Sequence, residues 1–373
     1  MREITVPVTG QHYPIVIGEG ALDELGDRAR AAGIDGTVAL IQDAEAGRRY
    51  GARARQSLEA AGFAVTSIDV PSGEQSKSLG ELGRLYEALS AAGLDRRSAI
   101  VALGGGVVGD LAGFAAATYL RGIAFVQAPT TLLAQVDASV GGKTAIDLAA
   151  GKNLAGAFHQ PRLVLIDPAT LATLPEAEYR AGLAEVLKYG VIADAGFFEY
   201  QEAHTEAILG RQPEPLAHLI GRSCEIKAEV VGEDERESGR RAILNFGHTV
   251  GHAVEALGGY IHGEAVAIGM VAATALSQRL VGLPRRDAER IHTLIAAYGL
   301  PTRLRVPLPA DALLNTMRVD KKTLGGELRF VLARRIGTVE VAPVDEPTAR
   351  AALQSIEPAA PTTNEGAAVP RHA

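Results

Sequence analysis

The sequence predicts an α/β N-terminal domain of Rossmann-like type, with a mostly parallel sheet, followed by an all-α C-terminal domain. Three observations carry this expectation. Short β-rich runs alternate with amphipathic helical stretches up to about residue 170. A glycine-rich turn joins one such run directly to a helix. After Leu174-Pro175 the strand signals nearly vanish, and an apolar period of 3.6 residues dominates to about residue 318.

Taken in order, the N terminus alternates apolar and polar residues at Ile4, Val6 and Val8 and again at Ile15 and Ile17. Strand candidates follow at 37–41, 64–70, 99–103, 124–128 and 163–166, with helical stretches such as 46–61 and 78–92 between them. Parallel strands need such crossovers, so the alternation implies a parallel sheet. One short β signal returns at 328–332 inside the otherwise helical second half. The stretch Glu357-Pro358-Ala359-Ala360-Pro361-Thr362-Thr363 cannot bury enough surface to order itself. The expected organisation is therefore 1–170 as a cofactor-binding α/β domain, 171–352 as a helical metal- and substrate-binding domain, and 353–373 as a disordered tail.

A chain of 373 residues that is 47% hydrophobic suggests two domains and can bury the walls of an active site. A net charge of -7 argues against nucleic acid or an anionic membrane as the main partner. The single cysteine, Cys224, excludes an intrachain disulfide and reads as a packed thiol in a helical run. With no signal segment and no uncharged run long enough to span a bilayer, a cytoplasmic enzyme is expected.

The chemistry begins at Asn245-Phe246-Gly247-His248-Thr249-Val250-Gly251-His252, followed shortly by His262-Gly263-Glu264. His248 and His252 are four apart and share a helical face, and His262 opens a second apolar helical run that can fold back toward them. Converging imidazoles with a carboxylate suit a divalent metal. Glu185 is the best candidate acid, because it sits in the apolar stretch 181–190 where solvation explains it poorly, with Lys188 one turn away. Packed or capping imidazoles beside an ion pair are the plainer alternative.

Gly104, Gly106 and Gly109 match G-x-G-x-x-G between a strand and a helix, where bare backbone lets a pyrophosphate approach helix N-terminal N–H groups. The acid expected about twenty residues on is missing, and Asp43, at the end of an earlier strand, is the alternative partner for ribose hydroxyls. A second glycine loop, 137–144, contains Gly142-Lys143-Thr144, but Asp137 occupies the place where a nucleotide triphosphatase P-loop needs its first glycine. Lys143 there reads as a contact to a substrate phosphate or to a cofactor.

Together these segments resemble the 3-dehydroquinate synthases, sugar phosphate cyclases of the shikimate pathway. The likeness runs from about Val38 to Gly337 through Pro71-Ser72-Gly73-Glu74-Gln75-Ser76-Lys77-Ser78, residues 104–110 and 128–137, Gly141-Gly142-Lys143-Thr144, Gly151-Lys152-Asn153, residues 184–188 and 245–252, His262-Gly263-Glu264 and Asp320-Lys321-Lys322. The resemblance implies a dehydroquinate synthase-like fold that binds NAD in the first domain and one Zn2+ or Co2+ in the second, with the reaction in the cleft between them. It implies Glu185, His248 and His262 as metal ligands, which leaves His252 as an acid/base or hydrogen-bonding group on the substrate side. It places Lys143, Lys188, Lys227, Arg241, Asn245 and His252 in catalysis, and Asp137, Asn153 and one of Lys321 or Lys322 on the substrate. Arg121 resembles a residue reaching in from a homodimer partner. Cofactor contacts would fall on Asp43, Glu74, Lys77, Gly105, Gly106, Val107 and Asp110, and on Thr130, Thr131, Lys152, Thr173 and Leu174. Glu45 departs from the family, which usually carries asparagine there.

The implied substrate is 3-deoxy-D-arabino-heptulosonate 7-phosphate, which is converted to 3-dehydroquinate and inorganic phosphate by transient NAD-dependent oxidation, phosphate elimination, reduction, ring opening and intramolecular aldol closure. Such a dianion suits a cluster of lysines and arginines. A metal- and NAD-dependent polyol dehydrogenase is the nearest rival, and its small neutral substrate gives Lys143, Lys227 and Arg241 little to bind. A cyclase acting on another sugar phosphate lacks the carboxylate that Lys227, Arg241, Asn245 and His252 would hold. A catalytically silent protein of the same fold would have little reason to keep the whole constellation.

Overall fold

The structure, a computed structural model, describes residues 1–237, 239–320 and 328–358. Its strands are β1 (Arg2–Val8), β2 (Gln11–Ile17), β3 (Val38–Asp43), β4 (Val65–Val70), β5 (Ala99–Gly104), β6 (Ala124–Pro129), β7 (Lys143–Leu148), β8 (Gly151–Phe158), β9 (Leu163–Ile166), β10 (Arg329–Arg335) and β11 (Thr338–Pro343). Seven of them form one sheet in the order β1-β2-β9-β6-β5-β3-β4. All its pairings are parallel except the N-terminal β1-β2 hairpin.

The two faces of this sheet are read directly from strand parity. Val38, Leu40, Val101 and Leu103 pack into the core on one face, while Ala39, Ile41, Ile100 and Ala102 pack into the core on the other. Burial on both faces explains why these strands appear in the sequence as unbroken apolar runs. The helix Gly106–Thr118, which follows the glycine turn, lies on the second face through Leu111, Ala112 and Ala115.

From Glu176 onward the chain is mainly helical, as expected. The helices that matter for the site are Glu176–Ala193, Pro213–Glu233, His248–Gly258 and His262–Leu280. The largest core crosses between the halves. Tyr13 and Ile15 of β2 and Val164 and Ile166 of β9 pack with Leu183, Val186 and Leu187 of the Glu176–Ala193 helix and with Ile220, Cys224 and Val231 of the Pro213–Glu233 helix. This apolar seam ties one end of the sheet to the helices that carry the charged site residues. Among the described residues no helix is long and apolar enough to cross a membrane.

Two hairpins and the C-terminal end differ from the sequence-based expectation. The glycine loop at 137–144 leads into the antiparallel β7-β8 hairpin, whose second strand is largely exposed and carries Leu154 and Phe158 outward, so no buried-face alternation marks it. Of the β10-β11 hairpin only the first strand was legible, because every residue of β11 but the last is half-buried. The ordered chain also continues past 352. The helix Glu346–Leu353 leads into a short 3-10 turn, Gln354–Ile356, Ile356 is buried, and the Leu304 N–H donates to its carbonyl at 2.8 Å. Residues 359–373, the rest of the expected tail, lie outside the described residues. Because Ile356 closes the core under the His262–Leu280 helix, Ile356→Ala should lower unfolding stability by about 2–4 kcal/mol. Urea denaturation checks this, and an unchanged midpoint would contradict it.

Candidate metal and substrate site

Three helices meet where the ligand candidates stand. Glu185 lies one turn beyond Ala181 on the Glu176–Ala193 helix, while His248 and His262 are the first residues of their helices. Glycines set the spacing. A Cβ on Gly263 would fall 2.0 Å from the Ala181 carbonyl oxygen, and one on Gly269 would fall 2.0 Å from that of Gly247. Gly247 itself has a φ of 81°, a left-handed turn that starts the His248 helix in the required direction. These backbone contacts bring the three helices close enough for short side chains to converge.

One ligand atom each from Glu185, His248 and His262 lies within 4.8 Å of the others. Nδ1 of His248 faces the Phe246 carbonyl at 3.2 Å, and Nδ1 of His262 faces Oε2 of Glu255 at 3.0 Å. Carbonyls and carboxylates only accept, so in each neutral ring Nδ1 carries the proton and Nε2 keeps its lone pair. Those Nε2 atoms stand 3.4 and 3.6 Å from Oε1 of Glu185, a fully buried oxygen without a close hydrogen bond. Two imidazole lone pairs and one carboxylate oxygen aimed at a common point form a donor set that fits Zn2+ or Co2+ and leaves further coordination positions open.

The electrostatics follow from burial and pairing. Burial alone would raise the Glu185 carboxyl, but Lys188 and the two imidazoles hold it well below the usual carboxylate range. Burial pushes His248 down to about 4, reinforced by Lys188 and opposed by Glu185. For His262 burial is outweighed by Glu185 and Glu255, which lift it to about 10, so the ring beside these acids favours a second proton on Nε2, and a metal ion bound there would take the place of that proton. His252 stands beside them without joining the cluster, its ring centroid 5.4 Å from that of His248 and 6.2 Å from that of His262. The helical pair His248 and His252 therefore shares a face but does not converge on one point with Glu185.

Cations surround this centre. Lys188 is buried and paired with Glu185, with Oδ1 of Asp137 at 4.0 Å. The same Oδ1 accepts from Lys227 Nζ at 2.8 Å and from the Tyr189 hydroxyl at 2.6 Å. Burial would raise Asp137, but Lys227 and Lys188 depress it below the carboxylate range; Lys227 is itself pushed down by burial. Lys143 pairs with Glu237, which also accepts from Asn245 Nδ2 at 2.9 Å. Arg241 is buried and donates to the carbonyls of Glu235 and Gly141. Lys321 and Lys322 lie outside the described residues.

The residues expected around a cofactor gather at the glycine turn and the β7-β8 hairpin. The Thr130 N–H donates to the Gly104 carbonyl at 2.9 Å, and a Cβ on Gly105 would meet the Thr131 methyl at 3.2 Å, so Gly105, Gly106 and Val107 open the helix against Thr130 and Thr131. Asp43 caps the next turn and stands so close to Gly104 that a Cβ there would lie 2.5 Å from its Oδ2. Lys77, itself buried, donates to Asp110 at 2.8 Å and to Asn153. Lys152 has Glu74 at 3.6 Å and Glu255 at 2.6 Å. Thr173 and Leu174 close the 3-10 turn after β9, where Thr173 is hydrogen-bonded to the Tyr50 hydroxyl. Glu45 turns back onto Arg48 and Arg49. Arg121, exposed on a left-handed turn with φ 70°, has no polar partner among the described residues.

Sequence reasoning passed over three residues of this network. Glu255 lies three positions after His252 and seven after His248, so helical spacing held a signal for it. Tyr189 was hidden in the apolar run beside Lys188, and Glu237 sits in an irregular loop that offers no periodicity.

Comparison with known proteins decides the relationship. The model described as 3-dehydroquinate synthase N-terminal matches residues 67–181, and the one described as 3-dehydroquinate synthase C-terminal matches 182–323. The chain belongs to the 3-dehydroquinate synthase family. A 3-dehydroquinate synthase of Caulobacter vibrioides is 52% identical over 351 residues, covering 92% of this chain and 95% of that protein. Among solved structures, a 2-deoxy-scyllo-inosose synthase complexed with carbaglucose-6-phosphate, NAD+ and Co2+ superposes with a TM-score of 0.87 at 27% identity, covering 94% and 99% of the two chains. A 2-epi-5-epi-valiolone synthase of Streptomyces hygroscopicus with NAD+ and Zn2+ bound gives 0.86 at 28% identity, covering 94% and 98%. The chain thus shares its fold with both of these synthases, and the fold expected from the sequence is the one found.

Because ligand spacing rests on helix contact, Gly263→Ala should force the Ala181 and His262 helices apart, costing about 1–3 kcal/mol of stability. Bound zinc per chain should fall with it. Thermal unfolding and metal analysis read the two effects, and a variant with full metal content would contradict this account of the spacing.

Proposed function

We propose that this chain is a 3-dehydroquinate synthase, converting 3-deoxy-D-arabino-heptulosonate 7-phosphate to 3-dehydroquinate and inorganic phosphate with bound NAD and one Zn2+ or Co2+. The observation that carries the reading is the convergence of Glu185, His248 and His262, with buried Lys188 paired to Glu185 and buried Lys227 held on the neighbouring Asp137. The NAD+ and the Co2+ or Zn2+ in the two cyclase structures support the same cofactors here.

Glu185, His248 and His262 would hold the metal, and the glycine turn at Gly105, Gly106 and Val107 with Asp43, Asp110, Thr130, Thr131 and Lys152 would hold NAD. The ion would supply Lewis acidity and NAD a reversible hydride acceptor, so no net oxidation accompanies turnover.

The chain's own groups do the remaining work. Lys143, Lys227, Arg241 and Asn245 offer N–H donors to phosphate and carboxylate oxygens, where charge assistance makes each bond stronger than a neutral one. Asp137, Lys227 and Tyr189 form one hydrogen-bonded cluster, so substrate would meet donors already fixed in place. Lys188, held by Glu185, keeps its charge next to the centre, its pKa raised because Glu185 and Asp137 outweigh its burial. His252 stands at the edge of the triad, where an imidazole can take or return a proton at a substrate oxygen. Holding a flexible heptulosonate in a bent pose also brings the atoms of the later ring closure together. The roles assigned to single residues, a homodimer in which Arg121 reaches the neighbouring site, and a cytoplasmic setting belong to this proposal.

The purified protein with NAD+ and Zn2+ should release inorganic phosphate from the heptulosonate while absorbance at the NADH band stays flat. Prolonged chelation should abolish release, and Zn2+ or Co2+ should restore it. Steady NADH formation from a polyol, without phosphate release from the heptulosonate, would instead identify a dehydrogenase.

A further inference from the structure

Glu255 sits between the two halves of the site with both carboxylate oxygens engaged. Oε2 faces Nδ1 of His262 at 3.0 Å, and Oε1 accepts from Lys152 Nζ at 2.6 Å. His262 is one of the converging ligands, whereas Lys152 belongs to β8, beside Asn153, in the hairpin that Lys77 ties to Asp110 on the glycine-turn helix. A continuous polar chain therefore runs from Asp110 through Lys77 and the hairpin to Lys152, Glu255 and His262. Elsewhere the halves are joined by the apolar core at the β2 and β9 end of the sheet and by polar contacts such as those of Lys227 and Tyr189 to Asp137. Of the acids among the described residues, Glu255 alone is bonded both to a ligand candidate and to the cofactor-side hairpin.

We infer that Glu255 is a positioning residue that couples metal binding to NAD binding, by holding His262 with Nε2 turned toward the metal point and, through its other oxygen, holding Lys152 and the β7-β8 hairpin. The inference rests on the cofactor reading given above. Its physical basis is the partner that fixes a ligating imidazole: a carboxylate on Nδ1 sets the tautomer and the ring orientation, and loss of such a partner typically weakens metal binding roughly 10- to 100-fold. A carboxylate shared with a lysine is itself better fixed when that lysine is fixed. NAD that orders the hairpin thus orders Glu255, and through it His262. The coupling is positive, and linkage requires it to act equally in both directions.

Zinc affinity, measured by chelator competition on the full chain with and without saturating NAD+, tests this directly. For the unmodified protein NAD+ should tighten Zn2+ by roughly 5- to 50-fold, and Zn2+ should tighten NAD+ by the same factor. Glu255→Ala should weaken Zn2+ in the absence of NAD+ by roughly 10- to 100-fold and abolish the NAD+ effect. Glu255→Gln, which keeps the shape and one acceptor, should retain more of the affinity and lose most of the coupling. Lys152→Met should weaken NAD+, which Lys152 would help to hold, and at NAD+ concentrations shown to saturate the variant the tightening of Zn2+ should still be lost. The visible spectrum of bound Co2+ should shift in Glu255→Gln. Glu255→Ala with unmodified zinc affinity and full NAD+ enhancement would overturn the inference, as would independent binding of the two ligands to the unmodified protein. A protein that binds neither ligand would instead overturn the cofactor reading beneath it.

Discussion

Oε1 of Glu185 is the point on which the architecture depends. A carboxylate at zero exposure is costly unless it is compensated, and here the compensation comes from groups on three separate helices. Lys188 lies one turn along its own helix, and His248 and His262 are brought in by the close packing of their helices at Gly247, Gly263 and Gly269. The tautomer of each ring is set by its outer nitrogen, through the Phe246 carbonyl in one case and Glu255 in the other. Helix spacing, ring orientation and carboxylate charge therefore serve one arrangement. Losing the helix spacing or the ring orientation would leave the buried Glu185 carboxylate short of partners.

The rest of the molecule delivers substrate groups to that point. β2 and β9 share their core with the helices that carry Glu185 and Lys227. Asp137 lies between the sheet and these helices, and Lys227 and Tyr189 both reach it. The glycine turn after β5 opens a helix whose Asp110 connects through Lys77 to the β7-β8 hairpin. The buried lysines are thus held by acids from both halves, which fixes them before any ligand arrives and lowers the reorganisation that binding a dianion requires.

Much of this was legible in the sequence, for identifiable reasons. β3, β5, β6 and β9 are buried strands and appear as apolar runs, and the glycine turn stands out because bare backbone is needed where Gly104 passes Asp43. The β7-β8 hairpin escaped notice because an exposed strand with Leu154 and Phe158 turned outward carries no inward-facing period. The ligand set shows the limit of local pattern. Spacing alone favours His248 with His252, since both lie on one helical face, but which imidazole converges with Glu185 depends on where a third helix begins. That information is tertiary, and it came from the family resemblance. Glu255 was overlooked because an acid on the polar side of a helix looks solvated until His262 and Lys152 are seen against it.

X-ray absorption on the Co2+-loaded protein tests the central claim most directly, because it reads the atoms around the ion without reference to turnover. The account predicts two imidazole nitrogens and one carboxylate oxygen from the protein, with one imidazole lost in His262→Ala and the shell unchanged in its protein imidazoles in His252→Ala. A shell that loses an imidazole in His252→Ala, or that keeps its carboxylate oxygen in Glu185→Ala, would contradict it.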